Sequence, residues 1–322
     1  MMYSVLRWMT GIALHWFYSR IEIVGREKIP ATGPVILAAS HHNALIDALI
    51  AVWISPRTLT LTAKATLMDN PILGWLLSLV GVVPLRRAAD EMKKPAKGVI
   101  DPSRNAGAFE SLLEVLQKGG MILIFPEGKS HSEPLLAPLR TGVARLSLEA
   151  ARDRGIHGIQ IVPLGINFED KGNPGTAVLA EVGQPLSIDA GSAASVEEVT
   201  TEVARRLAEV SLKRPQPSND REAVRRKGGI HPVTSPLAAW GELTHRYIIN
   251  FARDVAIRRS RNPDDPAMLT IIYSLLLILL SYAVQFAIIT ALFGPVVGAI
   301  VLATLPVSAY WAAYKSHPRP GR

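Results

Sequence analysis

Residues 268–293 carry no charged side chain, and the apolar character resumes over 296–314 after a Gly294-Pro295 break. A helix needs about 20 consecutive apolar residues to cross the hydrocarbon core of a bilayer. Two stretches near that length, joined by a turn dipeptide, predict a transmembrane helical hairpin at 267–314. So long a charge-free run argues against a helix buried in a soluble core. Hydrophobic residues make up 48% of the 322 positions and charged residues 19%, so the apolar excess is concentrated rather than spread.

The net charge of +8 raises nucleic acid as a partner. The placement of the charge argues for a membrane instead. Arg253, Arg258, Arg259 and Arg261 precede the hairpin, and Lys315, Arg319 and Arg322 follow it. Positive flanks put both ends on the cytoplasmic side, and each basic residue near the surface attracts anionic head groups by about 1 kcal/mol. The expectation is an integral membrane protein whose main domain lies on the cytoplasmic face, with membrane lipids as partners and no nucleic acid. The chain has no cysteine, which rules out disulfides, Cys-ligated zinc and a Cys acyl-enzyme. At the N-terminus, Val5, Trp8, Met9, Ile12, Trp16 and Phe17 recur at helical spacing. Residues 1–20 are therefore predicted as an interfacial helix, and they lack the small-residue site of a cleaved signal.

Between these ends, short apolar runs alternate with helical patterns. Strands are predicted at 21–24, 35–39, 59–62, 121–125, 159–164 and 177–182, and helices at 105–118, 139–151 and 196–213. Ser195 and Glu198 form a capping-box pattern at the start of the last helix. This alternation indicates an α/β fold, a single mixed-sheet domain over 21–213. Residues 214–266 read as a basic linker, rich in Pro and Ser, followed by an amphipathic helix suited to a bilayer surface, and 315–322 as a basic tail. Residues 71–85 form another apolar run, too short to span comfortably, for which core packing and shallow membrane insertion stand level.

The strand at 35–39 runs into Ser40-His41-His42-Asn43-Ala44-Leu45-Ile46-Asp47. At about 100° per residue, positions five apart in one helix diverge by about 140°. His42 and Asp47 meet only if His42 sits in the turn and Asp47 in the helix after it. Asp47 would then fix the imidazole tautomer and leave the other ring nitrogen as a base. Taken alone, the spacing also fits a histidine that merely caps a helix.

Further segments accompany it in order. Gly81-Val82-Val83-Pro84-Leu85-Arg86-Arg87 ends in two arginines, Phe125-Pro126-Glu127-Gly128 follows a strand, and Val162-Pro163-Leu164 lies within another. His-x4-Asp, Gly-x5-Arg, Phe-Pro-Glu-Gly and Val-Pro-Leu, in this order, resemble the four sequence blocks of the glycerolipid acyltransferase superfamily, over roughly 21–188. Its members include 1-acylglycerol-3-phosphate and glycerol-3-phosphate acyltransferases. The resemblance implies that His42 deprotonates the acceptor hydroxyl, Asp47 orients it, and Arg87 holds the acceptor phosphate. It also implies that Glu127 and Gly128 position the glycerol part and that Lys64 assists with phosphate. Arg86 stands beside Arg87 as an equally placed candidate. His41 departs from the pattern, since the family usually has Asn there. No cofactor and no metal is implied, and acyl-CoA or an acyl carrier protein thioester serves as co-substrate.

The chemistry suits these residue types. A thioester is already activated, because its thiol leaves with a pKa of about 8.5 against roughly 16 for an alcohol. What remains is to sharpen the alcohol, where a general base contributes about 10²- to 10⁴-fold. No Gly-x-Ser-x-Gly elbow is present, which favours direct transfer over an acyl-enzyme. The reading is a phospholipid-synthesis acyltransferase whose first-choice acceptor is 1-acylglycerol-3-phosphate, with glycerol-3-phosphate or dihydroxyacetone phosphate as the alternative. Two further readings stand beside it: metal-dependent phosphoester hydrolysis through His41, His42, Asp47 and Glu127, and non-catalytic lipid binding.

Overall fold

The computed structural model describes residues 2–65, 68, 78, 81–85, 105–130, 136–171, 176–211, 236–259 and 266–315. The chain forms two compact units. The first comprises Met1–Gly11, Glu22–Phe168 and Val178–Pro215, the second Ile12–Ile21, Glu169–Ala177 and Gln216–Arg322. The predicted linker up to residue 235, the basic tail from 316 and most of the apolar run at 71–85 lie outside the described residues.

The sheet of the first unit contains β1 (Arg20–Val24), β2 (Val35–Ala39), β3 (Leu59–Lys64), β4 (Val83–Leu85), β5 (Met121–Ile124), β6 (Ile159–Phe168), β7 (Ala177–Val182) and β8 (Leu186–Ile188). Its order is β1-β7-β6-β2-β5-β3-β4, with β8 also on β6. The strands from β6 through β2, β5 and β3 to β4 are parallel, and β7 and β8 are antiparallel to β6. The sheet is mixed, as the sequence predicts. Every residue of β2 and β5 is buried, which is why these strands are unbroken apolar runs instead of alternating ones. Alternate residues Ile36, Ala38, Ile122, Ile124, Ile159 and Ile161 share one core cluster. It is closed by α3 (Ala106–Gln117), α4 (Gly142–Arg152) and α5 (Val196–Ser211), while α2 (Ala44–Ile54) follows β2 directly.

The capping box forms, with Ser195 N–H donating to Glu198 Oε2 at 2.6 Å and Glu198 N–H to Ser195 Oγ at 3.2 Å. Strand β6 runs four residues past its predicted end. Gly165 breaks the apolar pattern there, and the structure shows why a glycine is required. A Cβ at Gly165 would stand 2.1 Å from the carbonyl oxygen of Val210 in the last turn of α5. Asn167 then donates from Nδ2 to that same carbonyl at 2.8 Å, satisfying one of the acceptors that a helix end leaves open. Strands β4 and β8, three residues each, are too short to show a period and escape sequence reading.

Helix α1 (Met2–Phe17) has the predicted helical form. Its first part, which belongs to this unit, makes a close approach to α2, because a Cβ at Gly11 would meet the Trp53 indole at 2.9 Å.

The second unit contains α6 (Pro236–Arg259), α7 (Pro266–Phe293) and α8 (Pro295–Lys315). Helices α7 and α8 are joined at Gly294, whose φ of 89° lies in the left-handed region. They approach closely at Gly298, where a Cβ would fall 2.2 Å from Thr290 Oγ1. Such small-residue contacts are how apolar helices pack. Within α7, Ile272–Phe293 is long and apolar enough to cross a membrane, whereas the apolar part of α8, Pro295–Ala309, is shorter. Helix α6 packs on both α7 and α8. An amphipathic helix suited to a bilayer surface was expected here, and a helix is found, the third member of a helical cluster.

Two glycines predict opposite outcomes in denaturant unfolding. Gly165→Ala drives a methyl into the α5 backbone and is expected to cost about 1–3 kcal/mol. Gly107→Ala, in α3 with nothing within 4 Å of the added carbon, is expected to stabilise by up to about 1 kcal/mol.

Candidate active site

Strands β2 and β5 are parallel neighbours in the register Ala38↔Ile124, so their C-terminal ends leave the sheet side by side. Ligands of open α/β sheets gather at this end. From β2 the chain continues into Ser40-His41-His42-Asn43, and from β5 into Phe125-Pro126-Glu127-Gly128. On the far side of β2, Pro163 and Leu164 lie opposite Ala38 and Ala39. Ser40 N–H donates to the Leu164 carbonyl at 3.0 Å, and Ser40 Oγ accepts from Ile166 N–H at 2.9 Å. The turn thus starts from a fixed point.

Asn43 caps α2, and Asp47 lies in the helix's first turn. Its side chain is wholly buried. Asp47 Oδ2 accepts from Asn43 N–H at 2.7 Å and pairs with His41 Nδ1 at 3.0 Å. A carboxylate suits this place, since the helix start exposes unpaired N–H groups and the positive end of the dipole. The sequence puts Asp47 against His42, yet the hydrogen bond in the structure goes to His41. Neighbouring side chains on a non-helical backbone diverge, so this oxygen meets one imidazole and not both. The second oxygen, Asp47 Oδ1, is buried and accepts no hydrogen bond among the described residues. His42 is half-buried, with its Nδ1 shielded from solvent.

His41 Nδ1 must carry the proton in its pair with an ionised Asp47, which leaves Nε2 as the acceptor tautomer. This accounts for the departure from Asn. An asparagine Nδ2 and a histidine Nδ1 are each two bonds from Cβ, so both deliver a donor to the same point. The His41 ring is stacked on Phe125, with centroids 4.0 Å apart and planes at 17°. This contact between the two loops was not foreseen.

Glu127 is 2% exposed. Its Oε1 accepts His41 N–H at 2.7 Å, and its Oε2 accepts Ala137 N–H at 2.9 Å. The resemblance implies contact with the glycerol part of a substrate. In the structure both oxygens are turned inward, where they fix the histidine loop and the segment leading to α4. Gly128 has φ 75°, and a Cβ there would stand 3.3 Å from Arg140 Cγ, so the Arg140 stem lies over it. Arg140 N–H also donates to the Pro126 carbonyl at 2.7 Å. Ala137 is thus a part of the site that motif reading passed over, because a backbone amide leaves no trace in residue type, and Arg140, in a segment that the resemblance includes, is a part to which it gave no role.

Lys64 ends β3, opposite Leu85 of β4, at the same edge of the sheet. Arg87, and Arg86 before it, lie just beyond β4 and outside the described residues. Among the described residues, no three or more His, Cys, Asp or Glu side chains cluster so as to hold a metal ion.

The family model named Acyltransferase matches residues 20–167. A chloroplastic 1-acyl-sn-glycerol-3-phosphate acyltransferase of Arabidopsis thaliana is 25% identical over 154 residues, covering 48% of this chain and 37% of its own length. Its Brassica napus counterpart is 23% identical over 154 residues, covering 48% and 39%. Glycerol-3-phosphate O-acyltransferase 1 of Saccharomyces cerevisiae is 25% identical over 266 residues, covering 58% and 35%. The chain spans well under half the length of these curated relatives. The crystal structure of a 1-acyl-sn-glycerophosphate acyltransferase from Thermotoga maritima superposes with a TM-score of 0.49 at 20% identity, over 64% of this chain and 77% of that one. The match to the Acyltransferase model thus falls on the stretch that carries the His41–Asp47 and Glu127 turns at one edge of the sheet.

Proposed function

We propose that this protein transfers a fatty acyl group from an acyl thioester to the hydroxyl of a glycerol phosphate lipid precursor, with 1-acylglycerol-3-phosphate as the foremost acceptor and phosphatidic acid as the product. The observation that carries this reading is the pair of buried carboxylates at the meeting point of β2 and β5: Asp47 holds the His41 ring and Glu127 the His41 backbone N–H, which together fix the turn that carries His42. Such an arrangement supplies a positioned base without a protein nucleophile, which is what an activated thioester requires.

In the proposed step the His42 imidazole takes the acceptor hydroxyl proton as the oxygen attacks the thioester carbonyl. The tetrahedral intermediate collapses, the carbon–sulfur bond breaks, and the departing sulfur receives the proton from the imidazolium. Asp47 stabilises the positive charge that builds up between the two proton transfers. His41 acts as a positioning residue by fixing the Asp47 carboxylate through Oδ2. Arg87 and Lys64 hold the acceptor phosphate, as an arginine fork or an ammonium does. Gly128 lets the chain pass close to the acceptor. The donor is acyl-CoA or an acyl carrier protein. The second unit holds the protein in a membrane through α7 and α8, with the first unit on the cytoplasmic face. The apolar window Ile272–Phe293 supports this attachment.

Assays of purified protein with labelled acyl-CoA test the base. His42→Ala is expected to lower turnover by about 10²- to 10⁴-fold with unchanged unfolding, and near-normal turnover would remove His42 from the role. His41→Asn, which keeps a donor at the Nδ1 position, is expected to stay within about tenfold of the parent. His41→Leu takes from the buried Asp47 carboxylate one of its two hydrogen bonds, a loss of about 1–3 kcal/mol, and is expected to lower kcat/KM by about tenfold to a hundredfold. Equal losses in both variants would mean that the imidazole itself is needed. Parallel assays with glycerol-3-phosphate and its 1-acyl derivative decide the acceptor. Faster transfer to the 1-acyl compound is expected, and the reverse preference would align this protein with its yeast relative.

A further inference from the structure

Arg140 is fixed at the turn after β5 by its main chain, while its side chain is left unengaged. Its N–H donates to the Pro126 carbonyl at 2.7 Å, and Ala137 N–H, just before it in the chain, donates to Glu127 Oε2 at 2.9 Å. The side chain is exposed. Its stem crosses Gly128, where a Cβ would stand 3.3 Å from Arg140 Cγ and 3.8 Å from Nε. Residue 128 has a φ of 75°, in the region that favours glycine, and the space a side chain would need there is taken by the Arg140 stem. Other arginines of this unit are held by acceptors. Arg57 binds the Gly33 and Gly119 carbonyls, Arg154 binds Glu110, and Arg206 binds Glu202. The Arg140 guanidinium meets no acceptor among the described residues.

The place of this cation says which anion suits it. Glu127, next to Gly128, ties the β5 turn to the histidine turn through His41 N–H at 2.7 Å. Gly128 and His42 are each adjacent to a residue of that tie. In a 1-acylglycerol-3-phosphate the phosphorus is only a few bonds from the hydroxyl that loses its proton. The phosphates of CoA lie instead at the far end of the pantetheine arm. A cation beside the histidine turn is therefore within reach of the acceptor's phosphate and not of the donor's. That phosphate monoester brings about −1.5 to −2 charges to an edge that already holds the Asp47 and Glu127 carboxylates. Opposite charge has to be supplied, and a guanidinium supplies it with paired N–H donors that match phosphate oxygens.

Resting on the acyl-transfer reading above, we infer that the Arg140 guanidinium binds the phosphate of the acceptor, joining Arg87 and Lys64, and selects phosphate-bearing acceptors over neutral ones. Gly128 serves this contact by admitting the Arg140 stem across the turn. The Pro126 carbonyl serves it by holding the Arg140 main chain.

Arg140→Gln and Arg140→Lys are made in the full chain, with Arg145→Gln, at an exposed arginine within α4, as the control for lost charge. Either replacement of Arg140 keeps the main-chain bond to Pro126, so unfolding like that of the parent is expected. Equilibrium binding of a short-chain 1-acylglycerol-3-phosphate, with no donor present, is measured first. Arg140→Gln is expected to weaken it by about tenfold to a hundredfold. Arg140→Lys is expected to weaken it less, since an ammonium keeps the charge but not the fork, and Arg145→Gln to leave it unchanged. The neutral 1-acylglycerol is expected to bind the parent and Arg140→Gln alike. In turnover, Arg140→Gln is expected to raise KM for the phosphate-bearing acceptor while kcat and KM for acyl-CoA hold. Unchanged acceptor binding in Arg140→Gln, or an equal loss with the neutral 1-acylglycerol, would overturn the assignment. So would a rise confined to KM for acyl-CoA and absent with acyl-pantetheine, which puts the anion on the donor. Acceptor binding that depends on Arg140 in a chain that transfers no acyl group would support the phosphate contact and remove the acyl-transfer reading instead.

Discussion

Two carboxylates without access to water, Asp47 and Glu127, hold the motif-bearing edge of this sheet together. A buried charge is tolerated only where donors replace its hydration. Asp47 and Glu127 find theirs in Asn43 N–H, the His41 ring, His41 N–H and Ala137 N–H. Hydrogen bonds to charged groups contribute about 1.5–3 kcal/mol each, and an unmatched partner costs comparably. The loops therefore have one arrangement that brings these four donors to the two acids. His41 takes part in both, through its ring to one and its amide to the other. The geometry of the histidine turn is consequently a property of two loops and not of the His-x4-Asp spacing alone.

The sheet makes that coupling available. Because β2 and β5 are adjacent and parallel, their C-terminal turns emerge at the same edge and height, and β6 and β3 bring the Val-Pro-Leu and Lys64 segments to that edge as well. Burial on both faces keeps these strands apolar throughout, so polar chemistry is displaced to the turns. Gly165 and Asn167 serve the same end from the flank: they let α5 settle on β6 and satisfy its last carbonyls. The Phe125 ring closes the remaining gap by stacking on His41.

The second unit follows a different rule. Its helices are joined through small residues and one polar contact, with Gly298 against Thr290 and His245 against Tyr282, while large apolar side chains remain on the outside. In the sheet of the first unit, large side chains such as Ile36, Leu37, Ile122 and Met121 are inside. In an apolar solvent, packing of small residues and hydrogen bonds drive helix association and leucines are left outside, and α7 is long and apolar enough to cross a membrane.

Much of this was legible in the sequence. The unbroken runs of β2 and β5, the leucine face of α3, the capping box of α5 and the charge-free length of α7 each follow from local periodicity or a local hydrogen bond, which residue order encodes directly. The order of the His, Arg, Glu and Pro motifs likewise pointed to an acyltransferase domain. Only the tertiary structure decided which imidazole Asp47 holds, that Glu127 faces inward, that β6 runs on through Gly165, and that α6 joins the apolar helices. Each of these depends on a partner distant in sequence: His41 to Glu127, Glu127 to the Ala137 amide, Gly165 to Val210, His245 to Tyr282. Residue types state what a side chain is able to bond, but the choice among able partners is made by the packing that brings one of them within reach.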